Sequence, residues 1–208
     1  VGVGLAVNAP IAWGKTMLPL GITWVATPIS GLILGFIFTK IVGTSTAKTL
    51  EKFKKYILLV GCCYAAFTLG ANNSGLAVSV LYGSGTINSL MLTGFIGGIV
   101  VGIGALTWGR PLLEKVGLHI VQLEINSAIG AQFGQATTAY IAALLGYPTS
   151  MNQAIVGGIA GAGLARGVEY IKVKVIKEIV INWGISLIVS GSVSFVLYKV
   201  LSWILGAK

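Results

Sequence analysis

The chain has 208 residues, of which 9% are charged and 55% hydrophobic, and it carries a net charge of +9. A soluble domain carries about 25% charged residues, so this chain cannot solvate a soluble surface of its size. Composition excludes a disordered chain, a disulfide scaffold and an ordinary soluble enzyme, and predicts a polytopic helical membrane protein.

The charge gaps locate the spans. Residues 16–39, 56–109, 125–165 and 179–198 hold no Asp, Glu, Lys or Arg. A bilayer core needs about 20 apolar residues per helix. The gaps fit one span, two spans, a helical hairpin and one span. The alternation expected of an outer-membrane barrel is absent.

In chain order, the first span runs over 17–39 and contains Pro28. A basic loop over 40–55 follows. The second span, 56–82, is predicted to break at Gly70-Ala71-Asn72-Asn73-Ser74-Gly75. Gly83-Ser84-Gly85 turns the chain into the third span, 86–108. An amphipathic connector over 110–124 leads to the stretch 125–165, which folds back at Gly146-Tyr147-Pro148. A second basic segment over 166–177 precedes the last span, 179–199.

Threading these spans places 11 Lys and Arg on one face and three, Lys15, Lys199 and Lys208, on the other. The positive-inside rule makes the 11-residue face cytoplasmic, with loops 40–55, 110–124 and 166–177 on it. Positive charge that flanks spans argues against nucleic acid as a partner. Cys62 and Cys63 are adjacent within a span and bridge nothing distant.

Val1-Gly2-Val3-Gly4-Leu5-Ala6 resembles Ala160-Gly161-Ala162-Gly163-Leu164-Ala165, and the same offset carries Trp24 onto Trp183. The spans after the two copies start on opposite faces, so the copies are expected to be inverted, as in many secondary transporters. Residues 1–15 are predicted to be the tail of a preceding repeat. Residues 16–55 would be a linking helix and basic loop, and 56–208 a second repeat. A missing N-terminal half or a homodimer would complete the assembly.

Two polar kinks could hold a small ion. Amides at Asn72 and Asn73 are costly in hydrocarbon unless hydrogen-bonded. A helix restarting beside Ser74 and Gly75 would offer N–H groups and a positive dipole end to an anion, or freed carbonyls to a cation. The second kink is Pro148-Thr149-Ser150-Met151-Asn152-Gln153, where Ser150 or Thr149 can cap the next helix. Gln132, Gln135, Thr137 and Thr138 add polar groups on the first hairpin arm. Gly94, Gly98 and Gly102, Gly130 and Gly134, and Gly157 and Gly161 read as close-packing stripes. No His, Cys or carboxylate cluster has metal-ligand spacing, and the chain has no aspartate. An enzyme is therefore not expected.

These residues resemble the inorganic phosphate transporter (PiT) family. Gly70-Ala71-Asn72-Asn73 with Ala77 resembles that family's Gly-Ala-Asn-Asp-Val-Ala-Asn-Ala signature. Gly146 to Gln153 is similar to its Gly-Leu-Pro-Val-Ser-Thr-Thr-His. Gly109-Arg110 with Glu114-Lys115-Val116-Gly117, and Trp24-Val25-Ala26-Thr27-Pro28, resemble its connector and the end of its first half. The resemblance implies an all-α, inverted-repeat symporter for phosphate, or sulfate in some members, coupled to Na+ or H+. It implies an anion site at Asn72, Asn73, Ser74, Gly75, Gln132, Thr149, Ser150, Asn152 and Gln153, with Na+ at Asn72 and Asn73. Asn73 stands where the family has Asp, Gln132 where it has Glu, and Gln153 where it has His. With neutral amides at these positions a sodium site loses charge and a proton relay loses its titrating groups, while a site of amides, hydroxyls and N–H groups tolerates sulfate. The alternatives to a coupled phosphate transporter are a sulfate permease of the same family and an uncoupled channel or inactive membrane subunit.

Overall fold

The computed structural model describes residues 2–8, 10, 13–44, 48–117, 124–147, 149–167 and 173–205. The described residues form helices and turns: α1 (Gly2–Ala6), a π-helical turn (Trp13–Met17), α2 (Leu18–Thr44), α3 (Lys48–Gly83), α4 (Leu90–Gly117), α5 (Ile125–Leu144), α6 (Met151–Arg166) and α7 (Val173–Ile204). Four segments are long and apolar enough to cross a membrane: Trp13–Thr44, Lys52–Gly83, Leu90–Gly109 and Val173–Ile204. They match the four spans expected from the charge gaps.

The basic segments differ from expectation. Lys52, Lys54 and Lys55 lie on α3, Arg166 ends α6, and Lys174 and Lys177 lie on α7. Lysine is a good helix former, so the spans continue past the apolar core. At 36 residues, α3 is about 54 Å long, against a hydrocarbon core of about 30 Å. Residues 118–123, in the amphipathic connector, lie outside the described residues.

The chain divides into two compact units, Leu20–Ile171 and Val1–Pro19 with Lys172–Lys208. In the larger unit, α5 is the centre. Ile129, Ala131, Ala136 and Ala139 on its faces are buried, and it packs on α3 and α6, while α4 packs on α3. Phe133 on α5 stacks obliquely on Phe38 of α2 and Tyr64 of α3, with ring centroids 5.8 and 6.3 Å apart.

Helix α2 lies on the hairpin through glycine. A Cβ on Gly134 would stand 2.6 Å from Gly35 N, and one on Gly31 would stand 2.5 Å from Ala154 O. A Cβ on Gly157 would strike Pro28 O, and one on Gly161 would strike Leu32 O. These are backbone-to-backbone approaches that only small residues permit. The stripe on α4 behaves otherwise. Gly94, Gly98 and Gly102 meet nothing within 4 Å, whereas Gly97 abuts Ser74 O. Four-residue spacing names a face of a helix but not which face is covered.

In the smaller unit, α1 packs on α7. Gly2 sits against Gly191 O and Ser194 Oγ.

The hairpin turn forms as expected. Gly146 has φ +75°, a conformation costly for residues with a Cβ. Tyr147 N donates to Ala142 O at 2.9 Å and Gly146 N to Ala143 O at 3.0 Å, the paired bonds of a Schellman ending. Pro148 lies outside the described residues. Then Ser150 caps α6, its Oγ accepting from Gln153 N at 3.4 Å.

The expected break at Gly70–Gly75 is not present. α3 runs helical through all six residues. Two glycines lower helix stability by about 1 kcal/mol each, which a 36-residue helix packed on neighbours absorbs. Asn72 finds its partner outside the helix and Asn73 accepts from Asn72, so unwinding is unnecessary.

Candidate functional site: a junction of α3, the hairpin turn and α2

Asn72 lies 11 residues before the end of α3, about 16 Å along the helix. Its amide grips the peptide groups of Thr149. Asn72 Nδ2 donates to Thr149 O at 2.9 Å, and Thr149 N donates to Asn72 Oδ1 at 3.2 Å. Asn72 Nδ2 also donates to Asn73 Oδ1 at 3.1 Å. An amide presents a donor and an acceptor side by side, so it can satisfy both groups of one extended residue. This pairs the two polar segments picked out in the sequence.

The junction reaches a third helix. Thr149 Oγ1 and Thr27 Oγ1 are 2.5 Å apart, and Thr27 Oγ1 donates to Thr23 O at 2.6 Å. A hydroxyl has one proton, so Thr149 is the donor to Thr27. Thr27 and Thr149 are 3% and 6% exposed. Thr23, Thr27, Ser30 and Thr138, with Ile22, Ile141 and other apolar residues, line an adjoining cavity of about 240 Å³.

The other expected site residues go elsewhere. Ser74 turns its carbonyl to Gly97 of α4, and Gly75 meets nothing within 4 Å. Asn152 is exposed on the first turn of α6. Gln132 packs its Cβ near Gly61 of α3, 11 residues or about 16 Å from Asn72 along that helix. Its Oε1 is buried without a hydrogen-bond partner.

Gln153, 2% exposed, points to α2. With its oxygen toward the indole, its amide accepts from Trp24 Nε1 and donates to Trp24 O at 3.1 Å. Pro28 explains the vacancy, because a proline has no N–H for the carbonyl four residues earlier. Thr27 and Trp24 were not expected at the site. The signal was there: Thr27 adjoins the proline and Trp24 precedes it by one helical turn, in a span whose other hydroxyl residues include Thr23, Ser30 and Thr39.

The junction is electrically neutral. Its side chains are amides and hydroxyls, and α6 begins there with no acidic residue in its first turn. Such a set suits a small anion, held by N–H and O–H donors and the positive end of α6. Among the described residues, no group of His, Cys, Asp or Glu is arranged to hold a metal ion.

A family model described as "Phosphate transporter family" matches residues 43–194. The chain belongs to the phosphate transporter family. Over 221 aligned residues it is 28% identical to a "Putative phosphate permease" of Pyrococcus abyssi, covering 99% of this chain and 54% of that protein. A relative of the same description from Pyrococcus horikoshii is 34% identical over 148 residues, 66% of this chain and 36% of that one. The chain thus spans about half or less of the length of these two relatives. A solved structure described as "The sodium-dependent phosphate transporter" shares the fold, with a TM-score of 0.79 at 21% identity, over 98% of this chain and 71% of that chain. Membership and the apolar helices make this a multi-pass membrane protein of that family. The family's segment from 43 to 194 includes α3, the turn before α6 and the Asn72–Thr149 contact, while Thr27 and Trp24 lie outside it.

Proposed function

We propose that the chain is part of a secondary transporter that carries inorganic phosphate across the membrane. The supporting observation is the Asn72 clamp on the Thr149 peptide, which joins a membrane span to the capped start of α6. In this reading the junction is the closed state of the site. Parting Asn72 from Thr149 exposes an amide, a peptide N–H, the Thr149 and Ser150 hydroxyls and the α6 dipole to one oxyanion. Relatives named as phosphate permeases favour phosphate over sulfate as the cargo.

Sodium rather than a proton is the coupling ion in this reading. Asn72, Asn73, Thr149, Ser150 and Thr27 have no group that titrates near neutrality, but they carry neutral oxygens that a hard cation accepts. The solved transporter that shares this fold is described as sodium-dependent. The basic ends at 40–55, 110–124 and 166–177 face the cytoplasm in this scheme.

An inverted repeat, offset by 159 residues, fits the packing. Gly161 of α6 abuts Leu32 of α2, and Gly2 of α1 abuts Gly191 of α7. Exchanging the two copies turns one pair into the other. This supports alternating access by one repeat rocking against its counterpart.

The test is uptake of labelled phosphate by cells expressing the full gene, with and without a sodium gradient, and with sulfate as competitor. Sodium-driven uptake that excess sulfate leaves intact is expected. Uptake indifferent to sodium, or abolished by equimolar sulfate, would overturn the coupling or the substrate assignment respectively.

A further inference from the structure

We propose that Thr27 is a positioning residue, a latch that holds the Thr149 hydroxyl away from the anion cradle until phosphate displaces it. The role rests on the phosphate reading above and goes beyond it by naming the group with which the anion competes.

Thr149 is held from two sides. Its peptide N and O are bound by the Asn72 amide of α3, at 3.2 and 2.9 Å. Its hydroxyl is bound by α2, where Thr149 Oγ1 lies 2.5 Å from Thr27 Oγ1. The direction of that bond is fixed, because the Thr27 proton goes to Thr23 O at 2.6 Å and a hydroxyl has only one proton. Thr149 therefore donates to Thr27 and has no proton left for an anion. Thr27 is 3% and Thr149 6% exposed, so the bond is shielded from solvent.

Helix α2 is fixed at this point by backbone contacts. Gly157 of α6 lies against Pro28 O, and Gly31 of α2 lies against Ala154 O. The part free to move is the Thr149 side chain. A β-branched side chain occupies discrete staggered rotamers, so its hydroxyl either meets Thr27 or turns away from it. Turning away releases one O–H to the cradle. A charge-assisted hydrogen bond is about twice as strong as a neutral one. Phosphate can therefore draw the hydroxyl off Thr27, whereas water offers only another neutral acceptor. The latch withholds a donor from the empty cradle, and the free energy of breaking it is subtracted from the apparent affinity for phosphate.

The test is the KM for labelled phosphate in cells expressing the full gene, because KM does not depend on how much protein reaches the membrane. Thr27→Val keeps the shape and removes the acceptor. It is expected to lower KM by about threefold to tenfold, the worth of one neutral hydrogen bond. Thr27→Ser keeps the hydroxyl and is expected to stay at the parent value. Thr27→Ala reads the same effect where Thr27→Val does not reach the membrane. A role in packing alone gives fewer transporters at an unchanged or raised KM. In a Thr149→Val background, which has no hydroxyl to release, Thr27→Val is expected to leave KM unmoved. A KM that stays or rises without the Thr27 hydroxyl, or falls equally in Thr27→Ser, would overturn the latch. Parent cells that take up no phosphate would defeat the transport reading and the latch together, whereas a transporting parent with an unmoved KM in the variants defeats the latch alone.

Discussion

Gln153 on α6 supplies the hydrogen bond that Trp24 on α2 loses to a proline. Its amide donates to the Trp24 carbonyl and accepts from the indole. Pro28, four residues on, provides no N–H for that carbonyl. The kink-prone point of α2 is thereby tied to the first turn of α6, three residues past the cap that begins the proposed anion cradle.

That relationship makes Gln153 structural in a specific way. Gln153→Ala leaves the Trp24 carbonyl and indole N–H unpaired within a membrane span, with an expected cost of about 1–3 kcal/mol. Pro28→Ala returns an N–H to the Trp24 carbonyl. In that background Gln153→Ala costs less. Thermal unfolding of the four proteins in detergent reads the coupling, and equal losses in both backgrounds would refute the link.

Asn72→Asp separates the amide from its shape. A carboxylate still accepts from Thr149 N but faces Thr149 O with an oxygen instead of a donor. Repulsion and loss of the 2.9 Å bond open the junction, and added negative charge repels an anion. Phosphate uptake is expected to fall by tenfold or more, on the order of a lost bond to a charged group. Uptake within twofold of the parent would show that Asn72 does not border the anion.

Ser150→Ala removes the cap of α6. A lost cap costs about 1 kcal/mol, and here it also removes a hydroxyl from the cradle. Uptake is expected to drop further than stability alone explains. Ser150→Gly, which costs only a few tenths of a kcal/mol as a cap, separates the two effects. Uptake restored by glycine would assign Ser150 to capping alone.

The glycine stripes divide into two classes. Gly161→Ala places a methyl against Leu32 O and is expected to destabilise the chain by about 1–3 kcal/mol through overpacking. Gly98→Ala meets nothing within 4 Å and lies in a helix interior, where alanine is favoured by about 1 kcal/mol. It should be neutral or stabilising in the isolated chain. Unfolding midpoints that move together would contradict the packing described.

Sequence alone determined the elements whose causes are local. Charge-free stretches located four spans because a buried charge is costly in hydrocarbon wherever the helix packs. Gly146 marked the hairpin, since a left-handed residue closes a helix there, and Ser150 marked the cap that follows. Asn72 stood out because an amide in an apolar span requires a partner.

The tertiary structure decided which partner. Continuity of α3 through Gly70–Gly75 depended on Thr149 satisfying Asn72 from outside the helix, and no local pattern contains that fact. Gln132 and Gln153 were legible as polar, but helix rotation turned one toward Gly61 and the other toward Trp24. Thr27 joined the junction because the glycines of α2, α5 and α6 let those helices touch backbone to backbone. A hydrogen bond across helices depends on distance and direction set by packing, and residue spacing along one chain carries neither.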